Sequence, residues 1–217
     1  MKTFFLNTAS FFILALTTLS ATQTTKAVEV YKPSIDGYIQ NWLLLESNDL
    51  DPNLSRDHSA AQAPIFDKEF FTNQFRATPQ AGDKVTVGTK ELVWKASEFH
   101  AGDPSVFFST EKEDVIQWAI TYVISEKEVL NVVLSLGSDD GSCWRVNGVE
   151  VFRIYAERPV SQDEDTSRPF TLTKGVNVIM VAVINAQLAA GFSARIIGAD
   201  KKAVEGLTVS LEPPAKP

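Results

Sequence analysis

The chain has 217 residues, 44% of them hydrophobic, with 20 Lys and Arg against 27 Asp and Glu and a net charge of −7. This acidic balance, with no basic cluster anywhere, excludes nucleic acid and anionic lipid as partners, because both need lysine and arginine gathered on one face. Cys143 is the only cysteine, so no internal disulfide can form and stability has to come from packing.

The chain opens on Met1, Lys2 and Thr3, continues through an apolar stretch from Phe4 to Leu19, and reaches a polar run ending at Lys26 and Ala27. A positive start, an apolar core short for a membrane span and small residues after it predict a secretory signal peptide over 1–27. Cleavage is expected after Ala27, with Ala21 as the rival position. The mature chain of about 190 residues suits one large β domain, secreted or periplasmic. No cysteine follows the signal for a lipid anchor, and no later segment is apolar for long enough to span a membrane.

Residues 28–110 read as an N-terminal extension carrying the first strands. A buried strand is expected over 42–46, a loop over 48–63, a short helix over 67–76 capped by Asp67, and strands over 84–87 and 91–96. Residues 111–212 read as the sandwich core, because runs of valine, isoleucine and aromatics recur between short turn signals. In 115–125 the alternation places Ile116, Trp118, Ile120, Tyr122 and Ile124 on one face, the expected core face. Strands are then expected over 129–136, 142–146 and 149–155, the last two joined by Asn147 and Gly148, a strong two-residue hairpin signal. Further strands are predicted over 170–172, 176–184, 192–197 and 207–211, with a disordered tail over 213–217. The total of about eight to ten strands points to an all-β, two-sheet sandwich with jelly-roll connections and minor helix in the N-terminal half.

Between the strands at 129–136 and 142–146 lies Gly137-Ser138-Asp139-Asp140-Gly141. Together with the Asn147-Gly148 turn, Leu172-Thr173-Lys174-Gly175 and Gly191-Phe192-Ser193-Ala194-Arg195, this order resembles PA14-like domains and the galactose-binding-like sandwich modules of secreted bacterial proteins. The resemblance covers about half of the mature chain. It implies a β-sandwich that binds carbohydrate, with Asp139 and Asp140 holding a calcium ion that takes neighbouring sugar hydroxyls. Calcium wants six to eight hard oxygens, so paired carboxylates supply charge and leave positions open; further oxygens are sought in 162–165 or 185–190. The same acids also suit a tight strand connection, with aspartates accepting backbone N–H bonds and Gly141 taking a positive φ. Trp144 and Tyr155, with Asn147 at the hairpin tip, are the candidate ligand contacts beside the motif. Phe107 and Phe108 are a further aromatic pair set in a loop.

Catalytic signatures are missing. His58 and His100 stand in separate loops outside any zinc-ligand spacing, no Gly-x-Ser-x-Gly elbow exists, and Cys143 has the setting of an inert half-buried thiol. The expectation is a non-catalytic secreted binding module that takes carbohydrate, with calcium as its cofactor. The alternative is a structural or protein-interaction sandwich that meets an extracellular protein and has no sugar or metal site.

Overall fold

A computed structural model describes residues 28–100, 102–109 and 112–213. The expected signal peptide over 1–27, with its cleavage positions, and residues 214–217 of the expected tail lie outside the described residues. Fourteen strands occur among the described residues: β1 (Val30–Tyr31), β2 (Leu43–Asp49), β3 (Lys84–Val87), β4 (Lys90–Ala96), β5 (Val106–Phe107), β6 (Val115–Ser125), β7 (Val129–Asp139), β8 (Gly141–Val146), β9 (Val149–Ile154), β10 (Asp165–Thr166), β11 (Phe170–Leu172), β12 (Gly175–Asn185), β13 (Gly191–Ile197) and β14 (Leu207–Ser210). They form two antiparallel sheets. The larger runs β3-β4-β2-β6-β12-β8-β9, with β14 continuing the β2 edge of β6 and β1 pairing β14; the smaller runs β10-β7-β13-β5, with β11 also on β7. The all-β sandwich read from the sequence is the fold, and β2, β3 and β4 from the expected N-terminal extension stand in the same sheet as β6 and β12.

The core between the sheets is centred on three aromatics packed edge to face. Trp42 lies 5.0 Å from Phe192 and 6.2 Å from Trp144, and Trp144 lies 5.8 Å from Phe192, between ring centroids. The Trp42 indole N–H, which cannot be left unpaired in such a place, donates to Ile39 O at 2.7 Å. Val132, Leu134, Leu136, Val181 and Val183 complete the layer.

The β6 face expected to be core is core, and the opposite face is buried as well. Ile116, Trp118, Ile120 and Tyr122 point away from the second sheet into a separate apolar cluster with Ile65, Phe66, Phe71 and Trp94, whereas Ala119 and Val123 face the inter-sheet core. The larger sheet is therefore covered on both sides. Its second cover is the N-terminal segment, where helix α1 (Pro52–Ser55) is capped by the Asp51 side chain accepting from the Asn53 amide at 2.9 Å, and helix α2 (Ala63–Asp67) has Pro64 in its first turn.

Two local expectations are corrected here. Residues 48–63 are not all loop, because they carry α1 and a 3-10 turn, Ala60–Gln62. The helix expected over 67–76 is absent as well: Asp67 ends α2, Lys68 is extended, and Asn73 is left-handed before a 3-10 turn at Gln74–Arg76. Packing decides this. Phe70 and Phe71 both rest on Trp118, at 5.3 and 5.5 Å between ring centroids. Adjacent residues of a helix point about 100° apart and cannot both press on one ring. The Asp67 carboxylate, expected to cap, is instead held by the Arg153 guanidinium at 2.5 Å, which lowers its pKa.

Candidate functional site

The motif that stands out in the sequence lies where the chain crosses between the sheets. β7 belongs to the smaller sheet and runs through to Asp139, and β8 begins in the larger sheet at Gly141, so Asp140 alone makes the crossing. The strand expected to stop at Leu136 continues because Asp139 and Ser138 pair with Gly191 and Phe192 of β13. The Asp139–Asp140 peptide is cis.

Asp140 is buried, and its carboxylate fastens two other segments. Oδ1 accepts the Arg158 amide and Oδ2 the Ala186 amide, both at 3.0 Å, while the Asp140 amide donates to Ile184 O. Behind it, the Ser138 hydroxyl donates to Asp140 O, the Ser138 and Ser142 hydroxyls share a hydrogen bond of 2.8 Å, and the Trp144 indole donates to Ser142 Oγ. Gly141 does not have the positive φ expected of it; a Cβ there would come within 3.1 Å of Gln62 Oε1 and 3.2 Å of Ile154 O. Close approach, rather than turn geometry, is what calls for glycine.

Asp139 points to the outer face of the smaller sheet, since its neighbour Ser138 points inward. It borders a cleft of about 410 Å³ enclosed by Asp140, by 157–159 and by 186–188. Partial burial first and the Asp140 charge second push the Asp139 carboxyl up to about 7, against a backbone hydrogen bond from Val160 and the charge of Arg158. Arg158 is committed elsewhere: its guanidinium bonds Ser138 O at 3.1 Å, Asp165 at 2.5 Å and Glu164 at 3.3 Å.

The oxygens sought in 162–165 are engaged. Asp163 binds Arg195, Tyr38 and Ser135, which together hold its carboxyl below the usual range, and Glu164 and Asp165 pair with Arg158. The turn after β12 is different, for Ala186 already reaches Asp140, and the preceding Asn185 is fully buried. Its Nδ2 donates to Lys112 O and Leu188 O, yet its Oδ1 has no hydrogen-bond partner among the described residues. Asp139 and Asp140 bring two adjacent carboxylates to one cleft, hard oxygen donors of the kind that calcium takes, although those of Asp140 also hold the Arg158 and Ala186 amides. Among the described residues no group of three or more His, Cys, Asp or Glu gathers at metal-binding separation, so any remaining ligands would be neutral oxygens.

The aromatic candidates are not brought to this cleft. Trp144 is fully buried in the inter-sheet core, which corrects its expected role as a ligand contact: a tryptophan in register with Trp42 and Phe192 offers no face to a sugar. Tyr155 packs on Phe66 at 6.1 Å under the N-terminal cover, and Arg153 donates to its hydroxyl. Asn147 forms the predicted turn with Gly148, both at positive φ, but six residues along β8 from Gly141, about 20 Å away at the strand rise. There it bonds Asn177 and Val178.

Cys143 is buried and its pKa is raised to about 12, chiefly by desolvation. His58 does meet an acid, with Nε2 3.6 Å from Glu157 and Nδ1 bonded to Ala156 O. Among the described residues no hydroxyl or thiol is hydrogen-bonded to its ring.

No protein-family model and no curated protein matches the chain. Among solved structures it is similar to the PA14 domain of the antifreeze protein MpAFP, at 13% identity and TM-score 0.37, over 88% of this chain and 96% of that one. It is also similar to a PA14 sugar-binding domain from an RTX adhesin, at 14% identity and TM-score 0.36, over 76% and 99%. A β-glucosidase from Kluyveromyces marxianus in complex with glucose matches over 56% of this chain and 14% of that one, at 18% identity and TM-score 0.27. The fold stands on the sheet pairing described above.

Proposed function

We propose that the protein is a secreted, non-catalytic carbohydrate-binding module whose site is the cleft at Asp139 and Asp140, with a calcium ion bridging the acids and the sugar. The observation that carries this reading is the pairing of a half-buried Asp139, its carboxyl pushed up to about 7, with Asp140 in the lining of one cleft. A cation at that place would reverse the mutual repulsion of the two acids. Calcium leaves coordination positions for the vicinal hydroxyls of a sugar ring. The sequence resemblance of 137–141 to PA14-like domains implies the same use of the pair.

The test is a thermal melt in calcium and in chelator, for the wild type and for an Asp139→Asn/Asp140→Asn variant. A ligand that binds the native state alone raises its melting temperature. Calcium is expected to stabilise the wild type and leave the variant unmoved, and a glycan screen in calcium then identifies the sugar. Equal melting in calcium and chelator would overturn the metal-assisted reading and favour a metal-free interaction surface.

A further inference from the structure

We infer that Phe107 is the apolar platform against which the ligand's ring lies, an inference that rests on the reading of the cleft as a cation-assisted sugar site. Three residues stand in line across the smaller sheet: Phe107 of β5 is paired with Gly191 of β13, and Gly191 with Asp139 of β7. Their neighbours Val106, Phe192 and Ser138 are buried toward the other sheet. By the two-residue period of a strand, Phe107 and Asp139 therefore share the outer face.

Gly191 lets the ring come across. A Cβ at this position would lie 2.7 Å from Cδ1 and 2.9 Å from Cε1 of Phe107, so the phenyl ring covers the place where any other residue would put its side chain. A ring over β13 stands about one strand spacing, roughly 4.8 Å, from the line of Asp139. The ring also lines a neighbouring cavity with Leu44, Glu46 and Phe108. Phe108 is the residue of the pair that fills the core, at 5% exposure, while Phe107 keeps 38% of its surface in solvent. Leu188, at the turn that bounds the cleft, is 77% exposed.

Charge at Asp139 and Asp140, with an aromatic face in line on the sheet and an aliphatic side chain at the bounding turn, fits a ligand with two unlike sides. A pyranose has this character, with hydroxyls for the acids and a C–H face for the phenyl ring. The class of ligand is accordingly a sugar presenting a vicinal hydroxyl pair and an uninterrupted patch of axial C–H groups, as opposed to a free carboxylate or phosphate, which the acids repel.

The experiment is calorimetric titration of the protein, first with calcium alone and then, in saturating calcium, with the methyl glycosides of D-galactose, D-mannose, D-glucose and L-fucose. The variants are Phe107→Ala, Phe107→Tyr and Asp139→Asn/Asp140→Asn. Phe107→Ala should bind calcium as the wild type does and lose roughly tenfold in affinity for the sugar, the scale of a lost aromatic contact; Phe107→Tyr should restore it. Wild-type sugar affinity in Phe107→Ala, with the double aspartate variant inactive, would overturn the role of Phe107 and leave the cation-assisted site standing. Failure of the wild type to bind calcium or any of these glycosides would overturn the site and this inference together.

Discussion

The Asp140 carboxylate accepts the backbone N–H of Arg158 at 3.0 Å, across eighteen residues of chain. With its other oxygen on the Ala186 amide, one buried side chain ties both walls of the cleft to the strand crossing. Asp140→Ala removes both acceptors and is expected to cost about 2–3 kcal/mol, since it strands two amides that had bonds to a charged group. Asp140→Asn keeps one acceptor and turns its NH₂ toward the other amide, so it should cost less than alanine but remain destabilising. Urea unfolding with an unchanged m-value would check both.

Asp139 gives the protein a pH dependence of definite sign. A carboxyl raised to about 7 in the fold keeps a proton that the unfolded chain releases, so this group's contribution is full below the unfolded pKa and is lost as pH rises from about 4 to about 7. In chelator, Asp139→Asn should therefore gain in melting temperature relative to the wild type across that interval, with no further gain above it. Stabilisation by calcium should grow over the same interval, because the cation takes the ionised form. A wild-type-minus-variant difference that stays flat with pH would show that the acid is not perturbed.

Phe71 joins the N-terminal cover to the larger sheet, 5.5 Å from Trp118 and 6.2 Å from Trp94 between ring centroids. Phe71→Ala should cost about 3–5 kcal/mol as a large-to-small change in a closed core. Because the cavity lies on the side of the larger sheet away from the cleft, calcium affinity should be unaffected at temperatures where the variant is folded.

Glu150 holds two arginines at once, Arg153 at 2.5 Å and Arg145 at 3.3 Å. Arg145 is itself nearly buried, over the Phe75 ring at 4.2 Å and bonded to Phe66 O. Glu150→Ala takes the acid from Arg145 and leaves Arg153 with Asp67 alone, and we expect a loss of about 1–3 kcal/mol, moderated by the partial exposure of the carboxylate. Glu150→Gln should recover part of it. Denaturation of the two variants in low and high salt separates the charge from the hydrogen bonds.

Most strands of the C-terminal half were legible because their alternation and turn residues act locally. Asn147 and Gly148 mark their hairpin by backbone preference alone, and the β12 pattern runs without interruption to Asn185. The core face of β6 was legible, but the burial of its other face was not. A strand buried on both sides carries apolar residues toward two cores, and Trp118 and Ala119 do not say which partner layer each will meet. The N-terminal cover was misread for a related reason, since Phe70 and Phe71 follow the surface of Trp118 and not the period of a helix. At the site, the acids were visible from the motif, but Trp144 looked available because hairpin position does not reveal which side of the sheet is closed. Phe107 came into line with Asp139 only through strand pairing, at a separation in sequence that no local pattern connects.

The larger sheet separates two cores, so its middle strand β6 serves as a wall for both. A fragment cut to 111–212 would retain the motif and most of the inter-sheet layer, yet it would lose β2 from the edge of β6 and lay Trp118, Ile116 and Ile120 open to water. Such a surface invites association with other chains. The two halves of the described chain are thus expected to fold as one unit, and a fragment of 111–212 is expected to associate or stay unfolded where the whole chain is stable.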